Sequence, residues 1–410
     1  MRFWKILSAM ALSAALLCSC DRGEMGFSYT EKASSKSKVL VLYAPAASNL
    51  SRFIKKNVDA LARGILPYED SRKAILIYTH LDSGDSHLYK LSSDDTGNPV
   101  RDTLLTVAPC PSASDPAVIS EVLGAVCEAY PPGDNSYTLI MSSHGTGWLP
   151  SGAKEKSSTI FDVPGRRKAF GSEKIGNTIY EISIQDLAAA IPMYVDCLVF
   201  DACLMGCVEV AWELRGKVGK LCCSPAEVPG NGYIYSDIGT DLLSDSASPE
   251  SFSRAFYEHY KTALETGNPA EDSMYGVTST TVDCSRLQPL ADICTELFEK
   301  YRSQIAALQP DGIQHYYRVS SEVDYYRDFF DLQDILIKAG ITLDENRRLQ
   351  DALDGCISFK GATKWFMKNN GGFDIKTYCG LSMHLPSRGY AELDAFYKTL
   401  GWNKATKLVE

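Results

Sequence analysis

Continuous apolar runs alternate with segments whose apolar residues recur at helical spacing. "KVLVLYAPA" (38–46), "KAILIYTHLD" (73–82), "SYTLIMSSHGTGW" (136–148) and "YVDCLVFDAC" (194–203) have the unbroken Val/Leu/Ile pattern of strands buried on both faces. Between them, "NLSRFIKKNVDALARGI" (49–65), "DPAVISEVLGAVCEAYP" (115–131), "SIQDLAAAI" (183–191) and "LMGCVEVAWELRGKV" (204–218) predict helices. Asn-Leu-Ser supplies a cap region for the first of these. Asp115 caps the second, with Pro116 in its first turn and Pro131 beyond its end. Residues 83–115 predict a hairpin, and 220–237 a short strand and a loop. Residues 151–180 are polar and glycine-spotted. This alternation predicts an α/β fold with a mostly parallel sheet flanked by helices.

The second half is more helical. "SPESFSRAFYEHYKTALE", "DCSRLQPLADICTELFEKYRSQIAAL" and "DFFDLQDILIKAG" predict helices, and "SMYGVTSTTVD" and "TYCGLSMHLPS" predict strands. No internal repeat is visible. We divide the chain into a core over 38–245 and a helical and strand subdomain over 246–410 that completes the fold.

The first 37 residues follow another pattern. "MRFWK" is basic, and "ILSAMALSAALL" has the length of a signal-peptide core, short of the roughly 20 apolar residues a membrane span needs. "LCSC" then resembles the lipobox of a bacterial lipoprotein. Cys20, preceded by Ser19, suits lipidation better than Cys18. The expectation is a signal peptide over 1–19, then lipidated Cys20 and a polar tether over 20–37. The chain would be anchored by lipid in a bacterial cell envelope, on the periplasmic or the surface side.

The net charge of −10 and the absence of a long basic run argue against nucleic acid as a partner. Oligomeric state is not written in the sequence. Beyond Cys18 and Cys20, many cysteines sit in apolar contexts that suit buried thiols. No CxxC pair occurs, which argues against structural zinc and against a thiol redox protein. We expect no metal and no cofactor.

In sheets of this kind, ligands bind beyond the carboxyl ends of the strands. His144 and Cys203 both lie at such ends. A thiolate nucleophile needs a base within reach and backbone N–H groups for the oxyanion. His144 is the candidate base, and the N–H groups of Gly145 and Cys203 are the candidate oxyanion hole. If Cys203 opens the next helix, the positive helix end favours its thiolate. His259, His315 and His384 are the alternative partners for Cys203, with His384 in "GLSMHLP" the strongest of the three.

"SSHGTGW", followed 59 residues after its His by "DACLMG", resembles the clostripain family of cysteine peptidases, which have a caspase-like fold. "SPAEVPGNGYIY", "DFFDLQDI" and "GLSMHLP" extend the resemblance over about 38–410. It implies a caspase-like three-layer sandwich and an endopeptidase that cleaves after Arg or Lys. His144 would be the general base and Cys203 the nucleophile. Asp201, two residues before Cys203, would hold the basic side chain. The family places an aromatic after its loop glycine. Here Asn231, Gly232 and Tyr233 occupy that loop, so Tyr233 is the candidate pocket wall, and Glu227 and Asp237 are candidates for a second acid. Members are commonly cut by themselves between the His and the Cys. Arg166-Arg167-Lys168-Ala169 offers a basic site there, after Arg167 or Lys168. Some members depend on calcium, but nothing in this sequence resembles an EF-hand. The rival from another class is an inactive envelope lipoprotein that binds peptides or a protein partner on the same scaffold.

Overall fold

The computed structural model describes residues 36–65, 72–81, 84–110, 112–150, 170–243, 248–267, 275–318, 329–367, 371–386 and 391–410. The segment expected as a signal peptide (1–19), Cys20, nearly all of the expected tether and the whole of Arg166–Ala169 lie outside the described residues. Lys36–Glu410 form one compact unit. No helix among the described residues is long and apolar enough to cross a membrane.

The first apolar runs become β1 (Ser37–Pro45) and β2 (Lys73–His80). The predicted hairpin is β3 (Ser86–Ser93) with β4 (Pro99–Val107), and the next run is β5 (Asn135–Ser142). A second hairpin, β6 (Phe170–Ile175) and β7 (Thr178–Ile182), falls where the sequence reads only as polar. β8 (Val195–Asp201), β9 (Val218–Cys223), β10 (Thr278–Asp283), a two-residue β11 (Phe330–Asp331) and β12 (Ile357–Ala362) follow.

Nine of these strands form one sheet in the order β12-β10-β9-β8-β5-β1-β2-β3-β4. Its five central strands, β9 to β2, are parallel. The two strands at each edge are antiparallel. The second half of the chain contributes β10 and β12 to the same sheet. "GLSMHLP" does not join it: Ser382–Met383 pairs with β11, and Ser382 also bridges to Cys207 ahead of α4.

Both faces of the sheet are covered. On one face Val39, Val41 and Tyr43 of β1 pack with Leu198 and Phe200 of β8. Helices α2 (Pro116–Ala129), α3 (Ile184–Ala190) and α4 (Val208–Leu214) cover this face. On the other face Leu40, Leu42 and Ala44 meet Val199. There α1 (Ser51–Ile65), α5 (Tyr235–Leu243) and α6 (Pro249–Thr266) supply Ile54, Ile238 and Phe256. The period-two alternation along buried strands thus builds two cores and a three-layer sandwich.

The start of α4 corrects the sequence-based expectation. Cys203 does not open a helix, because α4 begins at Val208 with Cys207 as its cap. Leu204 adopts a left-handed φ of 62°. Its N–H donates to Ala226 O, and the Gly206 N–H donates to Ser224 O. Residues 204–206 are therefore held against the chain that leaves β9 and do not turn into a helix. Cys203 receives no helix-terminal field.

Candidate active site

Ser142 and Asp201 are register partners at the ends of the adjacent parallel strands β5 and β8. His144 and Cys203 each stand two residues further on, so the sheet delivers them to the same edge. The chain moves from β1 outward to β2 but returns to β5 on the other side of β1. That reversal opens a crevice over the carboxyl ends. A cleft of about 310 Å³ lies there, lined by His144, Gly145, Asp201 and Cys203, by Phe53 and Ile54 of α1, and by Glu227, Val228 and Arg318.

Gly145 is required where the two strand ends meet. A Cβ at this position would lie 2.7 Å from the Cys203 carbonyl oxygen and 3.0 Å from Met205 Sδ. Among the described residues, the backbone N–H groups of Gly145 and Cys203 make no hydrogen bond. Both residues line the cleft, where an oxyanion hole would need two such donors.

His144 Nε2–H donates to Asn49 Oδ1 at 2.7 Å. This bond leaves Nδ1 as the basic nitrogen of the neutral ring. Asn49 reads in sequence as part of a helix cap, and its bond to the imidazole carries no local signal. Cys203, Cys110 and Cys127 are the described cysteines that are only partly buried. The Val228 N–H donates to Cys203 Sγ at 3.3 Å, and the S–H faces Val228 O at 3.7 Å. Burial, with Glu227 close by, pushes the Cys203 thiol up to about 12, and Val228 N–H and Arg318 only partly offset this. The thiol of this geometry is protonated at neutral pH.

Asp201 lines the cleft and is 7% exposed. Its carboxylate accepts from Ser142 Oγ at 2.8 Å and from Tyr235 OH at 2.7 Å. It also accepts from the Tyr233 N–H, and burial still holds its carboxyl above the usual range. Gly232, at φ +66°, lets the chain pass over this carboxylate, since a Cβ would sit 2.6 Å from either oxygen. Tyr233 is not brought to the cleft. Its ring turns inward and stacks on Phe256 at 4.5 Å, so its contribution to the site is its backbone N–H. Glu227 does line the cleft and is bidentate with Arg318: Nε to Oε1 and Nη2 to Oε2, each 2.9 Å. Arg318 has no motif that would have marked it.

The alternative histidines are elsewhere. His384 Nε2 pairs with Asp394 at 2.9 Å, His315 stacks on Tyr317, and His259 lies against Tyr260. None of them lines the cleft. No group of metal-ligating side chains occurs among the described residues.

Comparison with known proteins yields three findings. The model of the clostripain family matches residues 42–374. Clostripain of Hathewaya histolytica is 27% identical over 237 residues, which is 52% of this chain and 43% of that protein. The match therefore spans less than half of the curated relative's length. Among solved structures, a secreted C11 cysteine protease from Bacteroides thetaiotaomicron in complex with an irreversible peptide inhibitor is 21% identical. It superposes with a TM-score of 0.76 over 91% of this chain and 100% of that one. An inactive zymogen C11 protease from Parabacteroides distasonis is 23% identical, with a TM-score of 0.73 over 91% of this chain and 98% of its own. At these identities the two structures bear on the fold, and they agree with the three-layer caspase-like sandwich.

Proposed function

The chain belongs to the clostripain family, and from that premise we propose that it is a cysteine endopeptidase that cleaves after Arg or Lys. The observation that carries the proposal is the matched placement of His144 and Cys203, two residues beyond register partners, in one cleft with two carboxylates. Cys203 is the nucleophile and His144 the general base. His144 takes the thiol proton as sulfur bonds to the scissile carbonyl carbon. The oxyanion accepts from the N–H groups of Gly145 and Cys203. Collapse expels the amine, which takes the proton back from His144, and leaves a thioester. Water, deprotonated by His144, then releases the acid and regenerates the thiol. The high thiol pKa means that the proton must leave during attack, so base and nucleophile have to meet in the substrate complex.

Asp201 and Glu227 are the acids available to a basic side chain. Asp201 already accepts three internal donors, which leaves little of its capacity for a ligand.

Self-cleavage in the 151–180 loop, at its basic run Arg166-Arg167-Lys168-Ala169, belongs to the same proposal. Its support is Phe170, directly after the basic run, which bridges to Gly145, while the Gly171 N–H donates to His144 O. The residues after the run are thus tied beside the base.

The test compares intact mass and hydrolysis of Arg-ended and Asp-ended fluorogenic peptides for the wild type and Cys203→Ala. The expected wild type is two fragments cut near Lys168 that hydrolyse the Arg peptide, with the variant inert and uncut. A single wild-type chain that hydrolyses neither peptide, with or without calcium, sinks the proposal.

A further inference from the structure

Glu227 and Arg318 form a bidentate ion pair inside the cleft. Two parallel N–H···O contacts of 2.9 Å join a guanidinium to a carboxylate in the fork arrangement by which arginine is held. The side chains are 16% and 18% exposed, so neither is a solvated surface charge. Both line the cleft that holds Cys203. Glu227 is joined directly to Val228, whose N–H and C=O face the sulfur. A guanidinium bound at Glu227 is therefore one residue from the backbone that contacts the nucleophile. Asp201, by contrast, has its carboxylate supplied by Ser142, Tyr235 and the Tyr233 N–H.

We propose that Glu227 is the seat for the guanidinium of a substrate arginine, and that Arg318 is an intramolecular occupant of that seat which a substrate displaces. The inference rests on the peptidase proposal above and adds to it the selecting residue and its internal competitor. An arginine tethered in the same chain competes at a high effective concentration, so the resting cleft is self-blocked toward weak cationic ligands. The fork also favours Arg over Lys, because an ammonium makes no planar bidentate pair.

The test uses agmatine, a guanidinium without a scissile bond, titrated calorimetrically into the full chain carrying Cys203→Ala. Adding Arg318→Ala, and separately Arg318→Gln, is expected to tighten agmatine binding by about tenfold. Adding Glu227→Gln is expected to weaken it by at least about tenfold. In the chain with Cys203 intact, Arg318→Ala lowers KM for Arg-ended peptides, and Glu227→Gln erases the preference for Arg over Lys. Thermal melts establish that each variant is folded. Agmatine binding that is unchanged or weaker in both Arg318 variants overturns the proposal and leaves the ion pair as a structural tie. If the wild type cleaves Arg peptides while all variants bind agmatine equally, this inference fails alone. If the wild type cleaves no basic peptide yet the Arg318 variants gain affinity, the peptidase proposal fails and the seat stands.

Discussion

The surroundings of Cys203 keep its thiol protonated. Its sulfur is held by Val228 and lies near Glu227, and burial raises its pKa to about 12. Relative to a thiol at 9.0, this leaves roughly a thousandfold less thiolate at pH 7. Alkylation of Cys203 by iodoacetamide, followed by peptide mass, should therefore be slow at pH 7. It should keep rising about tenfold per pH unit to pH 10 without a plateau, because the titrating group is still protonated there. A plateau between pH 6 and 9 would mean that a thiolate–imidazolium pair already exists in the resting chain. His144, the proposed base, has its own support in Asn49, which holds the ring through Nε2. Asn49→Ala should lower kcat by a factor of roughly 10 to 100 with KM nearly unchanged, since it acts on ring placement and not on substrate contact. Asn49→Asp, which keeps the acceptor oxygen, should recover much of the loss. A purely structural role for Asn49 would move the melting temperature instead of kcat.

The strand pair β5–β8 is the element that makes the site, and Gly145 is where its two ends touch. Gly145→Ala would push a methyl group to 2.7 Å from the Cys203 carbonyl oxygen, a backbone atom that cannot swing aside. The expected cost is about 1–3 kcal/mol of stability, read as a lower urea midpoint at unchanged m. An unchanged midpoint would show that the strand ends yield freely. The same strands explain what the sequence made legible. β1, β2, β5 and β8 are buried on both faces and read as unbroken apolar runs, so their ends, and with them His144 and Cys203, stood out. Edge strand β12 carries no such run. "ISFKGA" alternates in burial and follows the helix Leu343–Cys356 directly, with no turn to announce it. The start of α4 was misplaced because apolar residues continue back through Met205 and Leu204, where tertiary hydrogen bonds override the helical pattern. Asn49 and Arg318 were invisible for a different reason. Each reaches the site by one long-range contact, to His144 and to Glu227, and a single polar residue leaves no periodicity.

At the scale of the molecule, residues 151–169 interrupt the chain between β5 and β8, two neighbours in the middle of one sheet. Five register pairs from Thr138↔Cys197 to Ser142↔Asp201 join what comes before that interval to what comes after. The core joins them again, since Val41 and Met141 pack in the same cluster as Leu198 and Phe200. A third tie is polar. Glu173 lies after the interval and is fully buried, and it accepts from the Ala47 N–H, Ser112 Oγ and the Ala113 N–H, all before the interval. His80 Nδ1 meets the same carboxylate at 2.6 Å. A cut within 151–169 removes one covalent link and none of these contacts. The nicked protein should therefore co-elute as one species in native buffer and melt in one cooperative transition. What changes is the unfolded state, which becomes two free chains, so the melting midpoint should now rise with protein concentration, as it does for a dimer. A recognition site for a specific protease, engineered into the interval of Cys203→Ala, produces the nick without self-digestion. Fragments that separate on native size exclusion, or that melt in two transitions, would show that the halves on either side of the interval are independent bodies. One concentration-dependent transition would show that the sheet, and not the peptide bond, holds His144 and Cys203 in one cleft.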